Sequence, residues 1–384
     1  MNNSIDLAFC SICTMNYISY VATLNDSLKK FYPKINHYVL VIDYEDIHKK
    51  LLEKYDFKVI LIKQLSIPNI RLLIKKYNAF ELSNILKPFF FEWILKTSKI
   101  EMLFYFDSDI RIYSTLEHII KYFKKTKHSV LLTPHIHSYV NESNNYKIEK
   151  LLMLSGLYNG GFYALKNDKN CFMFLEWHKR KLEKYGYNAP YANMFVDQKI
   201  LDFAPLMFNF VGIYKNNTYN IGHWNYKNYK LKITADSYFV NEGKLVFFHF
   251  SQIKFRMPIA ETVMFGKKIN NDLFLQKIIY DYWRALLKNG YKETRLIQYG
   301  LQKYYKGATL PVVDPIAFRE NQINILKKTL NITLANHTRL EKENTQLNKV
   351  NAAFRNELNK VYNSKYYRLR VMLYKIKSLF KYLD

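Results

Sequence analysis

The stretch that most constrains the fold is a short apolar run followed by two carboxylates one residue apart. The run, Met102–Phe106, carries no charge and no polar alternation, which is typical of a strand buried on both faces of a parallel sheet. Asp107 and Asp109 follow where the strand ends, and ligands of open α/β sheets bind outside the carboxyl ends of the strands. Two carboxylates there suit Mg²⁺ or Mn²⁺. The alternative is a surface turn, since Asp and Ser are common turn residues.

Strand and helix patterns alternate on both sides of this run. The predicted strands are residues 7–13, 38–42, 57–62, 130–134, 157–165 and 245–251. The predicted helices among them are 17–31, with Asn16 as its cap, one that ends near 124, and 171–184. This alternation predicts an α/β fold with a mostly parallel, doubly wound sheet flanked by helices. No G-x-G-x-x-G follows the first strand, so the dinucleotide-binding fingerprint is absent.

A proline interrupts a helical pattern at residues 77–96, at Lys87-Pro88. Because proline lacks an N–H group and is tolerated in the first turn of a helix, we predict a break and a new helix from Pro88. The break allows the Lys87 ammonium to point into the crevice. The alternative is an ordinary surface lysine.

Two polar stretches further along are candidates for ligand contact. Asn159-Gly160-Gly161 places two adjacent glycines beside a strand-like run, which indicates backbone brought close to a ligand or a plain tight turn. Asp197-Gln198 opens an apolar helical turn, where the carboxylate is either functional or a helix cap.

Histidines and aromatic residues form a third set of candidates. Residues 219–225 cluster polar and aromatic groups, among them His223 and Trp224, and His249 ends an apolar strand. A lone histidine after such a strand is more often structural than a ligand. His249 matters because the aspartate pair lacks a third ligand.

The composition narrows the class of protein. The chain is 49% apolar, so a sizeable core is available and global disorder is excluded. The sequence has no apolar run of membrane-spanning length and no basic head before an apolar N-terminal segment, so we expect a cytoplasmic location. Three cysteines suit a reducing compartment. Cys10 and Cys13 lie within the first predicted strand, where buried hydrophobes are favoured over a redox pair.

The net charge of +26 attracts nucleic acid, anionic lipid or phosphorylated substrates. Lysine is abundant throughout the chain, and no RNP-like, helix-turn-helix or zinc-finger signature accompanies it. We therefore expect no nucleic-acid partner. A basic nucleic-acid-binding protein remains the competing class.

Heptads run through the C-terminal region, after a boundary at Pro311 and Pro315 and predicted helices at 273–288 and 293–305. The two core series are Ile323, Leu330, His337, Asn344, Asn351, Leu358 and Leu326, Thr333, Leu340, Leu347, Phe354, Val361. More than five heptads predict a coiled coil, and core asparagines fix its register. We predict a parallel homodimer, with a trimer as the runner-up. The alternative is one long helix packed on the rest of the chain.

The last segment, residues 364–384, has the pattern of a basic amphipathic helix. Its apolar face is Leu369, Met372, Leu373, Ile376, Leu379, Phe380 and Leu383. Such a helix can lie on an anionic membrane surface, here the inner face of the cell membrane. The alternative is a packed terminal helix with solvated lysines.

The order and approximate spacing of these segments resemble the nucleotide-sugar-dependent glycosyltransferases of the GT-A fold, with their DXD motif, and bacterial members with a C-terminal coiled coil in particular. The resemblance covers about residues 5–255. The matching segments are Thr14-Met15-Asn16-Tyr17, Glu81 with Lys87-Pro88, Tyr105 to Ile110, Asn159-Gly160-Gly161, Asp197-Gln198, Tyr219-Asn220 with Trp224-Asn225, and His249-Phe250-Ser251.

The resemblance implies a role for each matched position. Implied metal ligands are Asp107, Asp109 and His249, with Mn²⁺ or Mg²⁺ as cofactor. Implied nucleotide contacts are Thr14, Asn16, Tyr17, Asp43, Lys87, Asp107 and Ser108. Implied sugar or acceptor contacts are Asn159, Gly160, Gly161, Gln198, His223 and Trp224. Implied catalytic residues are Asp109 and Asp197, the latter as general base if the enzyme inverts; a retaining enzyme needs none.

One departure concerns the phosphate contact. Relatives often have H-F-x-G-x-x-K after the last strand, whereas this chain has His249-Phe250-Ser251-Gln252-Ile253-Lys254. Lys254 therefore lies one position early, and Arg256 competes with it for the phosphate role.

The predicted function is metal-dependent, hexosyltransferase-like glycosyl transfer in surface polysaccharide or glycoconjugate synthesis. The donor is a nucleoside diphosphate sugar, with UDP the commonest type in the family, and the acceptor is a glycan, a lipid-linked glycan or glycolipid, or a protein. The alternative is a basic nucleic-acid- or membrane-binding scaffold with a catalytically inactive transferase fold. The predicted domains are a GT-A-like catalytic domain (1–260), a helical extension (261–315), a coiled-coil oligomerisation helix (316–363) and the amphipathic tail (364–384).

Overall fold

The computed structural model describes residues 6–137, 146–234, 237–307 and 315–380. The chain divides into two compact units, Met1–Pro311 and Val312–Asp384. The domain boundaries predicted within and beyond the first unit stay predictions.

The first unit contains both strands and helices. Its strands are β1 (Leu7–Cys13), β2 (His37–Val41), β3 (Lys58–Leu61), β4 (Met102–Phe106), β5 (Ile110–Ile112), β6 (Val130–Pro134), β7 (Tyr158–Lys166), β8 (Asn188–Ala189), β9 (Met194–Phe195), β10 (Val211–Ile213), β11 (Leu231–Thr234), β12 (Ser237–Val240), β13 (Gly243–Lys244), β14 (Phe247–His249), β15 (Ile253–Lys254), β16 (Val263–Met264) and β17 (Lys267–Lys268). Its α-helices are α1 (Ile18–Phe31), α2 (Lys49–Leu52), α3 (Ile70–Lys76), α4 (Ala79–Thr97), α5 (Glu117–Lys125), α6 (Tyr146–Ser155), α7 (Lys169–Tyr185), α8 (Val196–Leu201), α9 (Ala204–Met207), α10 (Leu273–Lys288) and α11 (Tyr291–Thr294).

Seven strands form the central sheet, in the order β10-β6-β7-β4-β1-β2-β3. Strand β7 is antiparallel to both of its neighbours, and every other pair in the sheet is parallel. All residues of β1, β4 and β6 are buried, because helices cover both faces of such a sheet. The predicted α/β class with a mostly parallel, doubly wound sheet is confirmed.

Helix α4 is continuous through Pro88, so the predicted break at this proline is wrong. A proline inside a helix costs about 3 kcal/mol. The three residues that follow, Phe89, Phe90 and Phe91, are all buried, and burying one such side chain contributes about 1.5–3 kcal/mol. The burial of this apolar segment therefore outweighs the cost of a proline inside the helix. Lys87 lies in mid-helix and is itself buried.

A two-stranded ribbon extends from the end of the central sheet. Strand β5 pairs with β14 in antiparallel register, which places His249 opposite Ile110. The register brings a histidine from late in the chain beside the carboxylates that precede β5. Helix α10 packs behind the ribbon, where the Tyr282 ring stacks on Phe250 with 3.8 Å between centroids.

Other predicted elements vary in accuracy. The bounds of β1, β6 and α10 agree with the predicted ones, and Asp272 caps α10 by accepting a hydrogen bond from Leu275 N–H. The predicted helix over 293–305 is wrong, since only α11 and a 3-10 turn (Gln302–Tyr304) form there. Asn16 does not cap α1, because a 3-10 turn (Met15–Tyr17) precedes that helix. All three cysteines are buried and free.

In the part of the second unit that the structure describes, residues 315–380, the chain forms two helices, α12 (Pro315–Asn363) and α13 (Lys365–Phe380). The predicted tail helix includes residues 381–384, which lie outside the described residues. The predicted boundary at Pro311 also lies outside them, and so do the side chains after Lys375. Membrane contact by this tail stays a prediction. Within the described ranges, none of the helices combines the length and apolar character needed to cross a lipid bilayer.

Candidate active site

Two carboxylates and an imidazole meet at the carboxyl end of β4. The Nε2 atom of His249 lies 3.0 Å from Oδ1 of Asp109 and 3.9 Å from Oδ2 of Asp107. One donor atom from each residue lies within 4.8 Å of the others. The predicted third partner of the aspartate pair is therefore in position, and we call these three residues the triad.

The electrostatics of the triad suit a cation. Burial raises the pKa of Asp107, although Lys87 and His249 oppose this effect. Burial also acts to raise the pKa of Asp109, but the charge of His249 outweighs it and the pKa is lowered overall. Burial disfavours protonation of His249, yet the carboxylates raise its pKa overall. Two carboxylates that favour positive charge on a neighbouring imidazole also favour a divalent cation between them.

Lys87 is the centre of a buried polar network beside the triad. Its Nζ donates to Gly160 O (2.7 Å) and to Oδ2 of Asp197 (2.8 Å), and lies 3.6 Å from Oδ1 of Asp107. Tyr163 Oη donates to the same Asp197 oxygen at 2.7 Å. Oδ1 of Asp197 is buried, with no hydrogen-bond partner within the described part of the chain, and Asp197 lines the cavity described below. Among the described residues, no group satisfies this acceptor of the network.

The two adjacent glycines lie within β7, which excludes the alternative of a plain tight turn at Gly160 and Gly161. Steric contact explains why glycine is needed there. A Cβ atom on Gly160 would lie 2.5 Å from Oδ2 of Asp197, and one on Gly161 would lie 2.5 Å from Cε1 of His249. Each glycine thus makes room for one side chain of the site, and the close approach to a ligand expected there stays a prediction.

Polar side chains next to the glycines are fixed by hydrogen bonds. Gly160 N–H donates to Oε1 of Gln198 (3.1 Å), whose Nε2 donates to Ser155 O (3.1 Å). Gly161 N–H donates to Oδ1 of Asn159 (2.9 Å). These hydrogen bonds hold the Asn159 and Gln198 side chains in place.

A cavity of about 580 Å³ opens above these groups. Most of the predicted site residues line it: Thr14, Asn16, Tyr17, Lys87, Asp107, Ser108, Asp109, Asn159, Gly160, Asp197, Gln198, His223, Trp224 and His249. Among the predicted positions, Asp43, Gly161, Lys254 and the competing Arg256 are not in its lining. Lys254 and Arg256 are both exposed.

Gln252 lies where the sequence departs from the expected phosphate-binding pattern. Gln252 has a φ of 56°, in the left-handed region that favours glycine, and it occupies the glycine position of the H-F-x-G-x-x-K pattern that the sequence resemblance implies. Its carbonyl accepts a hydrogen bond from Phe265 N–H (3.1 Å), and both residues line the cavity. The chain therefore keeps the left-handed turn and adds a polar side chain to the cavity.

Sequence reasoning missed several residues of the site. Tyr105 donates to Oδ1 of Asp107 at 2.5 Å, and Tyr163 is its partner in the β4–β7 register. A tyrosine within an otherwise apolar strand is the signal that could have found them, since a buried phenol needs a hydrogen-bond partner. Phe265 and Tyr299 also line the cavity, and no motif pointed to either.

Aromatic rings extend from the triad along the cavity. The Trp224 ring lies edge-on to His249 (5.2 Å) and to His135 (5.3 Å), and His223 stacks on Phe265 with 4.2 Å between centroids. Burial lowers the pKa of His135 to about 4 and that of His223 to about 3. Both rings are therefore neutral at physiological pH and supply flat, uncharged walls.

Comparison with known proteins gives distant likenesses. No family model matches the chain. The chain is 28% identical over 252 residues to the uncharacterised protein YfnF of Bacillus subtilis (strain 168), over 64% of this chain and 80% of that protein. Among solved structures it is similar to the galactosyltransferase LgtC in complex with donor and acceptor sugar analogues (TM-score 0.44, 12% identity, 73% of this chain and 95% of that one). It is also similar to the glycosyltransferase GlyE of Streptococcus pneumoniae TIGR4 (TM-score 0.43, 14% identity, 75% and 64%). At such low identities and TM-scores, the function has to be inferred from the geometry of the site.

A methyl group at Gly161 should displace the imidazole of His249 and weaken cation binding. For Gly161→Ala we expect the affinity for Mn²⁺ to fall by about 10-fold or more, the usual effect of disturbing the support of a metal ligand. Isothermal titration calorimetry measures it. Gly160→Ala is the matched comparison, because its Cβ meets Asp197 instead and should affect Mn²⁺ affinity less. If Gly161→Ala and the wild type bound Mn²⁺ with equal affinity, the assignment of His249 as a metal ligand would be contradicted.

Proposed function

We propose that the chain is a metal-dependent glycosyltransferase that uses a nucleoside diphosphate sugar as donor and a glycan, lipid-linked or protein acceptor. The observation that carries the proposal is the triad, placed with a buried lysine at the carboxyl end of a parallel sheet and at the wall of a large cavity. Ligand sites of open α/β sheets lie at this edge. The sequence resemblance described above points to the same chemistry.

The donor atoms of the triad favour Mn²⁺ over Mg²⁺ as cofactor. Two carboxylates and one imidazole form a mixed oxygen and nitrogen set, whereas Mg²⁺ prefers oxygen ligands alone. Asp107, Asp109 and His249 would hold the cation. When bound there, it would neutralise the charge that develops on the leaving diphosphate.

Lys87 acts in this proposal as a positioning residue. Its ammonium is 2% exposed and already contacts Gly160 O and the carboxylates of Asp197 and Asp107. A buried cation with these partners orients the carboxylate of Asp107 toward the cavity and contributes a positive potential close to where the diphosphate would lie. The direct nucleotide contact expected for Lys87 stays a prediction.

Asp197 can serve two roles. Its Oδ2 is committed to Lys87 and Tyr163, while its Oδ1 is unpartnered among the described residues. In this proposal the bonded oxygen stabilises the network, and the other, which is buried and unsatisfied, accepts a hydrogen bond from a sugar hydroxyl that reaches it on binding. The general-base role stays a prediction, as does the choice between inversion and retention.

Donor hydrolysis tests the proposed activity. With a panel of nucleotide sugars and Mn²⁺ or Mg²⁺, we expect the wild type to hydrolyse one donor slowly. Because Asp109 would be a direct ligand, Asp109→Ala should reduce this rate by at least about 10²-fold, as should EDTA. Chromatographic detection of the released nucleotide measures the rate.

Two results would favour the competing functions. If the wild-type protein showed neither turnover nor metal-dependent nucleotide binding, the result would point to an inactive scaffold. DNA affinity that falls steeply with salt and does not respond to nucleoside diphosphates would point to a nucleic-acid-binding protein.

We also propose that α12 forms a coiled coil between copies of the chain. Within the second unit, the seam residues Leu326, Leu340, Leu347 and Phe354 are each 59–66% exposed. A helix of 49 residues with an apolar seam of this length needs a partner to bury it. A parallel homodimer is the arrangement we propose, with a trimer as the runner-up.

Charges placed in the seam should separate the copies. Light scattering should give the wild type a mass of twice the 46.1 kDa of one chain, or three times for a trimer. Leu340→Glu/Leu347→Glu should shift it toward the monomer, because each glutamate would be buried against its counterpart. The matched control, Ile332→Glu/Ala353→Glu, puts the same charges at exposed positions off the seam and should leave the mass unchanged. A monomeric wild type would refute the coiled coil.

A further inference from the structure

The segment after α10 runs across the carboxyl ends of β1 and β2, and we call residues 291–306 the strap. Thr294 Oγ1 donates to Ser19 Oγ at 2.9 Å, and Ile297 packs on the core cluster between α1 and the sheet. Gly300 N–H donates to Oδ2 of Asp43 at 3.3 Å. These contacts fix the strap at both its start and its middle, so it is part of the wall of the site.

Asp43 acts as a clamp between the strap and the turn that follows β1. Its Oδ1 accepts a hydrogen bond from Met15 N–H (2.8 Å), while its Oδ2 accepts the one from Gly300. The side chain is 2% exposed and does not line the cavity. Burial raises the pKa of Asp43, and the two backbone hydrogen bonds oppose that rise. Its position therefore suits a structural role better than the direct nucleotide contact expected from the sequence.

The strap contributes Tyr299 to the cavity. This half-buried side chain lines the same cavity as Thr14, Asn16 and Tyr17, which follow β1. Burial raises the pKa of Tyr299, with the charge of Asp43 as a second cause. The phenol therefore stays protonated and presents both an aromatic face and a hydrogen-bond donor.

The order of the strands indicates what this wall would touch. The triad and Lys87 lie at the end of β4, and β1 and then β2 follow it in the sheet. Two strand spacings amount to about 10 Å, comparable to the separation of a nucleobase from its diphosphate. A nucleotide with its diphosphate at β4 would thus place its base near β2, where Asp43 holds the strap.

We propose that Tyr299 forms part of the nucleobase wall of the donor site and that Asp43 positions it by clamping the strap. The inference rests on the proposed function, because it needs a nucleotide in the cavity. It assigns to the segment after the predicted catalytic domain a direct part in donor recognition. Aromatic faces hold bases by stacking, and the loss of such a contact is measurable in the affinity.

The test compares a nucleotide with a ligand that lacks a base. Full-length wild type, Tyr299→Ala and Tyr299→Phe are titrated by calorimetry, in the presence of Mn²⁺, with UDP, GDP, ADP and CDP and with inorganic pyrophosphate. Tyr304→Ala is the matched control, since Tyr304 lies in the same strap and is 50% exposed, outside the lining of the cavity.

We expect Tyr299→Ala to lower the affinity for the preferred nucleoside diphosphate by about 10-fold or more and to leave the affinity for pyrophosphate unchanged. Tyr299→Phe should keep most of the affinity, and Tyr304→Ala should match the wild type. Unchanged nucleotide affinity in Tyr299→Ala, or an equal loss for pyrophosphate, would overturn the inference while the proposed function stands. If the wild type binds none of these ligands, the proposed function fails and the inference with it.

Discussion

A buried ammonium is the constraint on which the rest of the site depends. Lys87 is 2% exposed in the middle of α4, and removing one partner of a buried ion pair typically costs 3–5 kcal/mol. The chain meets this constraint with groups from three other elements: Gly160 O from β7, Asp197 from α8 and Asp107 at the end of β4. Because these groups together compensate the charge of Lys87, they fix the position of α4 relative to the sheet and to the site.

The geometry of the triad follows from a second constraint, the register of β5 and β14. His249 lies opposite Ile110 in that ribbon, which sets its imidazole beside Asp109. Gly161, in β7, leaves room for the ring. Three segments that are far apart in sequence thus determine the position of the His249 ring in the triad.

The sequence predicted those parts of the fold that local pattern controls. The continuous apolar run of β4 and the capping aspartate of α10 were sufficient to place both elements. Prediction failed where tertiary contacts overrode local preference, as at Pro88, whose helix is stabilised by the burial of Phe89 to Phe91. At Gly160 and Gly161 the sequence left a close approach and a tight turn open, because the need for glycine comes from the side chains of Asp197 and His249, which no local pattern shows. The place of Tyr299 was also beyond sequence reasoning, because it depends on hydrogen bonds from the strap to residues more than 250 positions earlier.

Direct measurement of Mn²⁺ binding tests the central claim that the triad holds a divalent cation. Electron paramagnetic resonance of free Mn²⁺, titrated against the full chain, should show one bound ion per wild-type chain. Asp109→Asn should lose that binding, and Asp56→Asn, a control at a side chain that is 87% exposed, should retain it. Wild type that leaves Mn²⁺ free, or an Asp109→Asn variant that binds it as well as the wild type, would contradict the account.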